Sequence, residues 1–261
     1  MIDSHCHIDL LDNAQEVIDE ARKKGMAGII ISAADPNELG NAMSLANANK
    51  DFVYVCAGFH PHHVNDYDEE EVEEYIEQIN GVKYEIAAIG EIGLDYSGVN
   101  DEETKQRQKA IFAKFLKFAI EIQKPVVVHI RDAFDDALEI LSNYKPRHVM
   151  LHCFSGSEMQ LKISLERGYF ISFATNVCYT KKHPRLAVQT PLKNMLLETD
   201  SPWLEPNEKL RKNSDGDNIK TLTNRPWNIE QSAEIIAGLK KMLAKDVIGA
   251  TTDNAKRCFG I

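Results

Sequence analysis

The chain has 261 residues, 43% of them hydrophobic, and carries a net charge of −10. That length and apolar content suit one large α/β domain or two small ones, and no apolar run approaches the roughly 20 residues of a membrane helix. The acidic balance argues against a broad non-specific grip on nucleic acid, which needs a basic face. It leaves room for a small cleft where metal ions supply the positive charge.

The chain opens "MIDSHCHIDL". Ile2–Ile8 reads as a first strand, and residues at i and i+2 of a strand share a face. His5 and His7 then look one way while Cys6 looks the other. Alone, the pair reads better as two surface histidines in an N-terminal arm. Ala14–Lys24 is predicted helical and Gly28–Ser32 is the second strand. Phe52–Phe59 is the third, and it leads into His60 and His62 of "GFHPHH". After a helix over Glu69–Ile79, the fourth strand, Ile86–Leu94, carries Glu91 between two glycines in "AAIGEIGLDY". A long helix, Glu102–Gln123, precedes the fifth strand, Pro125–Ile130, which ends at His129 with Arg131 just beyond. Ala133–Asn143 is the next helix. The sixth strand, His148–Phe154, carries His152 in "VMLHCFSGS". Helix Glu158–Arg167 leads to the seventh strand, Tyr169–Ala174, and then to a basic run, Tyr179–Arg185, read as a loop. The eighth strand, Met195–Thr199, runs into Asp200 of "ETDSP". Pro202–Arg225 is polar and irregular and reads as a long loop. Two helices, about Asn228–Leu243 and Val247–Cys258, close the pattern.

Short, nearly continuous apolar strands separated by helices imply parallel strands covered on both faces. Eight of them in this length predict an α/β (β/α)8 TIM barrel, typically about 250 residues long, as one domain over residues 1–261. A doubly wound open sheet is the runner-up, but no Gly-rich fingerprint follows the first strand. Five cysteines, an odd number without CxxC spacing, read as reduced core thiols. The first residues carry Asp3 and His5 instead of a basic stretch followed by an apolar run. Both features lead to the expectation of a cytoplasmic protein with no membrane contact and no obligatory protein partner.

His5, His7, Glu91, His129, His152 and Asp200 fall at the C-terminal ends of five strands, where barrels build their active sites. Each has an ordinary reading: a core histidine bonded to a carbonyl, a turn glutamate, an aspartate capping a turn. Independent turns and core histidines have no reason to share one rim, so the six are read together as metal ligands. Strands one and eight are neighbours in a closed barrel, which groups His5, His7 and Asp200. Strands five and six group His129 and His152, with Glu91 placed to bridge the two groups. Two metals sharing a carboxylate stand roughly 3.5–4 Å apart and perform hydrolysis. Imidazoles with carboxylates suit zinc, manganese or iron; a dedicated magnesium cage would hold fewer histidines, although Zn, Mn and Mg all stay open as the native ion. Asp200 is the expected catalytic base, one oxygen for a metal and the other for a proton.

The motifs "DSHCHID", "GFHPH", "GEIGLDY", "VHIRDA", "HCFSGS" and "ETDSPWL", in this order and nearly end to end, resemble the TatD family of metal-dependent deoxyribonucleases. The resemblance places metal ligands on the same six residues. It implies hydrolysis of DNA phosphodiesters, commonly from the 3′ end, with two divalent metal ions and a single-stranded or frayed DNA substrate. Two stretches depart from the family pattern, "FATNVCYTKKHP" after strand seven and "LTNRPWNIEQSAE" near Trp227, and both lie where substrate is selected. His60 and His62 are candidate phosphate contacts or exposed loop histidines. Arg131 is a candidate bidentate phosphate ligand or the ion-pair partner of Asp132 or Asp135. Two rival functions remain on the same residues: hydrolysis of an acyl ester or amide, such as an aminoacyl group on tRNA, and a non-catalytic barrel that binds a partner. The complete ligand set argues against the second.

Overall fold

The structure is a computed structural model describing residues 1–212 and 223–261; residues 213–222, part of the expected Pro202–Arg225 loop, lie outside the described residues. Eight strands form one parallel sheet in sequential order: β1 (Ile2–Cys6), β2 (Gly28–Ala33), β3 (Val53–Ala57), β4 (Ala88–Asp95), β5 (Val126–Arg131), β6 (Val149–Leu151), β7 (Phe170–Phe173) and β8 (Met195–Leu197). The fold is the (β/α)8 TIM barrel that the alternation of strands and helices predicts. Several strands are shorter than their apolar runs. The first, third, sixth and eighth stop early because the chain bends at the rim, as at His7, which starts a short 3-10 helix.

The β1–β8 seam is closed by other means than a regular ladder. Asp200 N–H donates to His5 O at 3.0 Å and His7 N–H to Ser201 O at 2.6 Å. The buried Asp3 carboxylate accepts from Thr199 N–H at 2.9 Å and from its hydroxyl at 2.5 Å. Ser4 Oγ–H donates to Leu197 O at 2.7 Å. A buried carboxylate is tolerated only when its lone pairs are met, and here those bonds fasten the first strand to the last.

The outer ring holds α1 (Ala14–Lys23), α2 (Leu39–Ala48), α3 (Glu69–Gly81), α4 (Glu102–Glu121), α5 (Phe134–Tyr144), α6 (Glu158–Glu166), α7 (Lys182–Gln189), α8 (Glu208–Lys212), α9 (Ile229–Lys240) and α10 (Ala244–Phe259). Capping boxes start α3 at Asp68 and α6 at Ser157, each satisfying orphan N–H groups of the first turn. Three helices add to the sequence reading. α2 carries Gly40 and only a short buried face, Leu39, Ala42 and Met43, which gives weak periodicity. The basic run over Tyr179–Arg185 is half helix: Pro184 sits in the first turn of α7, where its missing N–H is not needed. The Lys182 ammonium donates to Ser155 O, and His183 Nδ1 lies 2.7 Å from Thr180 Oγ1, so the run is partly tied down. α8 adds a short helix inside the stretch read as loop. Among the described residues no helix is long and apolar enough to cross a membrane.

One residue per strand points to the barrel axis in its lower half: Ile2, Ile30, Cys56, Ala88, Val127, Met150, Phe170 and Leu196. These pack with Ala255, Cys258 and Phe259 of α10, which plugs that end. Each large aliphatic or aromatic side chain buried there contributes about 1.5–3 kcal/mol. Two residues further up the strands the interior turns polar. Ser4, Ser32, Gly58 and Ser172 leave room, while His129, His152 and Glu198 fill it; all but His129 are buried and it is nearly so. The site is set by this step from apolar to polar.

Candidate metal centre

Strand irregularities aim two of the six predicted ligands. On β1 the register shifts between Asp3 and Cys6, and on β4 between Ile89 and Ile92. Ile89 and Ile92 both pack in the outer core, although three positions apart, so one residue is interposed and Glu91 faces the axis. Bulges of this kind re-aim side chains beside active sites. The flanking glycines serve contact, not a turn. A Cβ on Gly93, at φ +146°, would lie 2.0 Å from His129 O, and one on Gly90 would lie 2.6 Å from Val127 Cβ. Only glycine permits this approach, and it brings Glu91 against β5.

The structure brings all six residues together. His5 Nε2 and His7 Nε2 stand 3.0 Å apart, and Asp200 Oδ1 is 3.6 Å from each. Glu91 is 2% exposed and divides its oxygens. Oε2 lies 3.3 Å from His5 Nε2 and 3.7 Å from His7 Nε2. Oε1 lies 2.7 Å from His129 Nδ1 and 3.5 Å from His152 Nε2. The two expected groups are not cleanly separate, because the barrel is narrow: His5 and His152 stack with centroids 3.8 Å apart. Within 4.8 Å, ligand atoms converge as His5–His7–Asp200, His5–Glu91–His152 and His60–Glu91–His129.

His60 therefore enters the cluster, with Nε2 3.8 Å from Glu91 Oε1 while its Nδ1 accepts from His62 N–H. His62 stays exposed at the rim, its Nε2 2.8 Å from Asp95 Oδ2. Arg131, two residues above His129 on β5, is exposed and lines the cavity. No hydrogen bond or ion pair to it is formed by Asp132 or Asp135; Asp135 accepts from Gln160 Nε2 instead.

Three residues escaped the sequence reading. Asp95 Oδ2 lies 3.1 Å from His129 Nε2, and Glu198 Oε1 lies 2.9 Å from His152 Nδ1. A carboxylate on one ring nitrogen fixes the tautomer and turns the other nitrogen, with its lone pair, toward the site. Both carried a signal, since Asp95 is an even number of strand positions from Glu91 and Glu198 is two from Asp200. Trp203, whose ring meets His7 edge-on at 4.9 Å, carried none.

The donor chemistry fits divalent cations. Burial opposes charge on Glu91, yet His152 and His5 hold its carboxyl well below the usual range. Asp200, against the same opposition, is held down by His7, His152 and His5. Burial pushes His60 down to about 3, leaving a neutral ring. Burial also disfavours charge on His7 and His152, but Asp200 lifts the first to about 9, and Glu198 with Glu91 lifts the second to about 10. The acids thus draw positive charge inward, a demand that divalent cations meet. These nitrogen and oxygen donors line an open cavity of about 480 Å³.

A (β/α)8 barrel with such a histidine–carboxylate cluster at its mouth has the architecture of a metal-dependent hydrolase. A family model described as TatD related DNase matches residues 2–260. An uncharacterized metal-dependent hydrolase of Methanocaldococcus jannaschii is 34% identical over 99% of this chain and 96% of its own length. A protein of Erwinia tasmaniensis named 3′-5′ ssDNA/RNA exonuclease TatD is 30% identical over 94% of this chain and 93% of its own. The crystal structure of a TatD homologue from Escherichia coli K12 superposes with a TM-score of 0.86 at 24% identity, covering 100% of this chain and 98% of that one, and shows the shared fold. The chain belongs to the TatD family of metal-dependent hydrolases.

Proposed function

We propose that this protein is a phosphodiesterase that uses two divalent ions (Zn, Mn or Mg) to cleave DNA from single-stranded or frayed 3′ ends. The observation that carries this reading is Glu91, whose two oxygens are shared between two histidine groups. His5, His7, Asp200 and Glu91 would hold one ion, and Glu91, His129 and His152 the other, with His60 beside it. Ions held there would supply Lewis-acid chemistry, lowering the pKa of a water toward neutrality and stabilising charge on the phosphoryl oxygens. Asp95 and Glu198 keep His129 and His152 in the required tautomers. Asp200 takes a proton from the attacking water and returns it to the leaving oxygen. His62 and Arg131, at the rim, receive the phosphates, and the nuclease name of the Erwinia relative supports a nucleic-acid substrate.

The test is to give the metal-loaded protein single-stranded DNA, RNA and an aminoacyl-tRNA. DNA should be cleaved fastest; faster release of the aminoacyl group would overturn the reading in favour of acyl hydrolysis. Arg131 sharpens the choice. A charge-assisted guanidinium–phosphate pair is worth about 1.5–3 kcal/mol, so Arg131→Ala should lower kcat/KM on a DNA oligonucleotide by roughly 10- to 150-fold. Turnover of a small uncharged ester should hardly change. Equal slowing of both substrates would assign Arg131 to holding the loop.

A further inference from the structure

A nucleic acid brings flat uncharged bases as well as phosphates. Among the described residues lining the cavity, Trp203 supplies the one large apolar ring; its neighbours there are histidines, carboxylates, Ala34 and Arg131. Its contact with His7 is tilted by 66°, and the residue remains 39% exposed. A scattered exposed hydrophobe is ordinary; this one is held in place at a charged mouth. Trp203 N–H donates to Asp200 O at 3.0 Å. The adjacent Leu204 O accepts from Thr175 Oγ1 and from Asn224 Nδ2, and Asn224 Nδ2 also donates to Thr199 O at 2.9 Å. One buried asparagine thus ties both ends of the turn that carries the ring. With the backbone beneath it so anchored, only the side-chain torsions of the ring remain to be fixed when a ligand covers it.

We infer that Trp203 is a stacking platform for the nucleobase beside the scissile phosphate. This rests on the nucleic-acid reading above. Base–aromatic stacking needs no hydrogen-bond code, because every base has a π-face, so the platform is sequence-tolerant. Trp203 follows β8 and leans on His7 after β1, while Arg131 ends β5, across the eight-stranded barrel. A strand laid over the mouth then rests one base on Trp203 as its backbone passes the Glu91 cluster toward Arg131.

Two measurements test this. The first compares kcat/KM for an oligonucleotide and for the same strand with abasic sites at its 3′ end. Trp203→Ala should shrink the preference for the intact strand by roughly 5- to 150-fold, through KM, and Trp203→Phe should keep most of it. The second uses fluorescence in metal-loaded Asp200→Asn protein carrying Trp227→Phe, where Trp203 is the sole tryptophan of the two in the chain. The intact strand should quench its emission and the abasic strand should not. A Trp203→Ala variant that slows both strands alike, or leaves the preference intact, overturns the platform while the nuclease reading stands. Failure of the unaltered enzyme to cleave either strand overturns the nuclease reading, and the platform with it.

Discussion

Asp200→Asn should lower kcat on single-stranded DNA by roughly 10²–10⁴-fold, the usual contribution of general acid–base catalysis, with weakened metal binding added. The substitution is a clean one. Asp200 has φ +57°, a conformation that asparagine tolerates as well as aspartate. Its N–H bond to His5 O is backbone and survives. The thermal transition should therefore move little while turnover collapses and KM changes less. The measurement is steady-state kinetics alongside metal content by elemental analysis. Near-normal turnover with both ions bound would remove Asp200 from the proton transfer.

Glu91→Gln should strike harder at metal content. The glutamine keeps the shape but offers a single neutral oxygen, and its amide N–H groups face His5 and His7 or His129 and His152, whichever way it turns. Losing an outer partner of a metal ligand typically lowers metal affinity by about 10–100-fold, and a carboxylate shared by two groups should exceed that. The expected result is fewer than two ions per chain after dialysis, with activity lost in proportion. Two tightly held ions in the variant would show that Glu91 is not shared.

Much of this architecture is written in strand periodicity. His5 and His7, two positions apart, do share a face, and His129 and His152 project from the ends of apolar runs as the pattern implies. The same two-residue logic would have found Glu198 beside Asp200 and, at four positions, Asp95 beside Glu91. Register shifts are different in kind. Nothing in "AAIGEIG" announces that Ile89 and Ile92 will share the outer core, because that depends on how tightly Gly90 and Gly93 let β4 approach β5. α2 was hidden by its short buried face and Gly40, and α7 by Pro184. The fixed position of Trp203 depends on Asn224 and Thr175, distant in sequence, so no local motif reports it.

The seam between the first and last strands also orders events in time. Asp3 and Thr199 are 196 positions apart, and at translation rates of about 5–20 residues per second, roughly 10–40 s separate their synthesis. Through that interval His5 and His7 have no Asp200 to complete their side. Pairings of such separation also form late in folding, because the loop-closure entropy comes before the contact that repays it. A chain not yet grown to Asp200 can hold only part of the centre. The Asp200 side of the centre is therefore the last to assemble, when the eighth strand docks on the first.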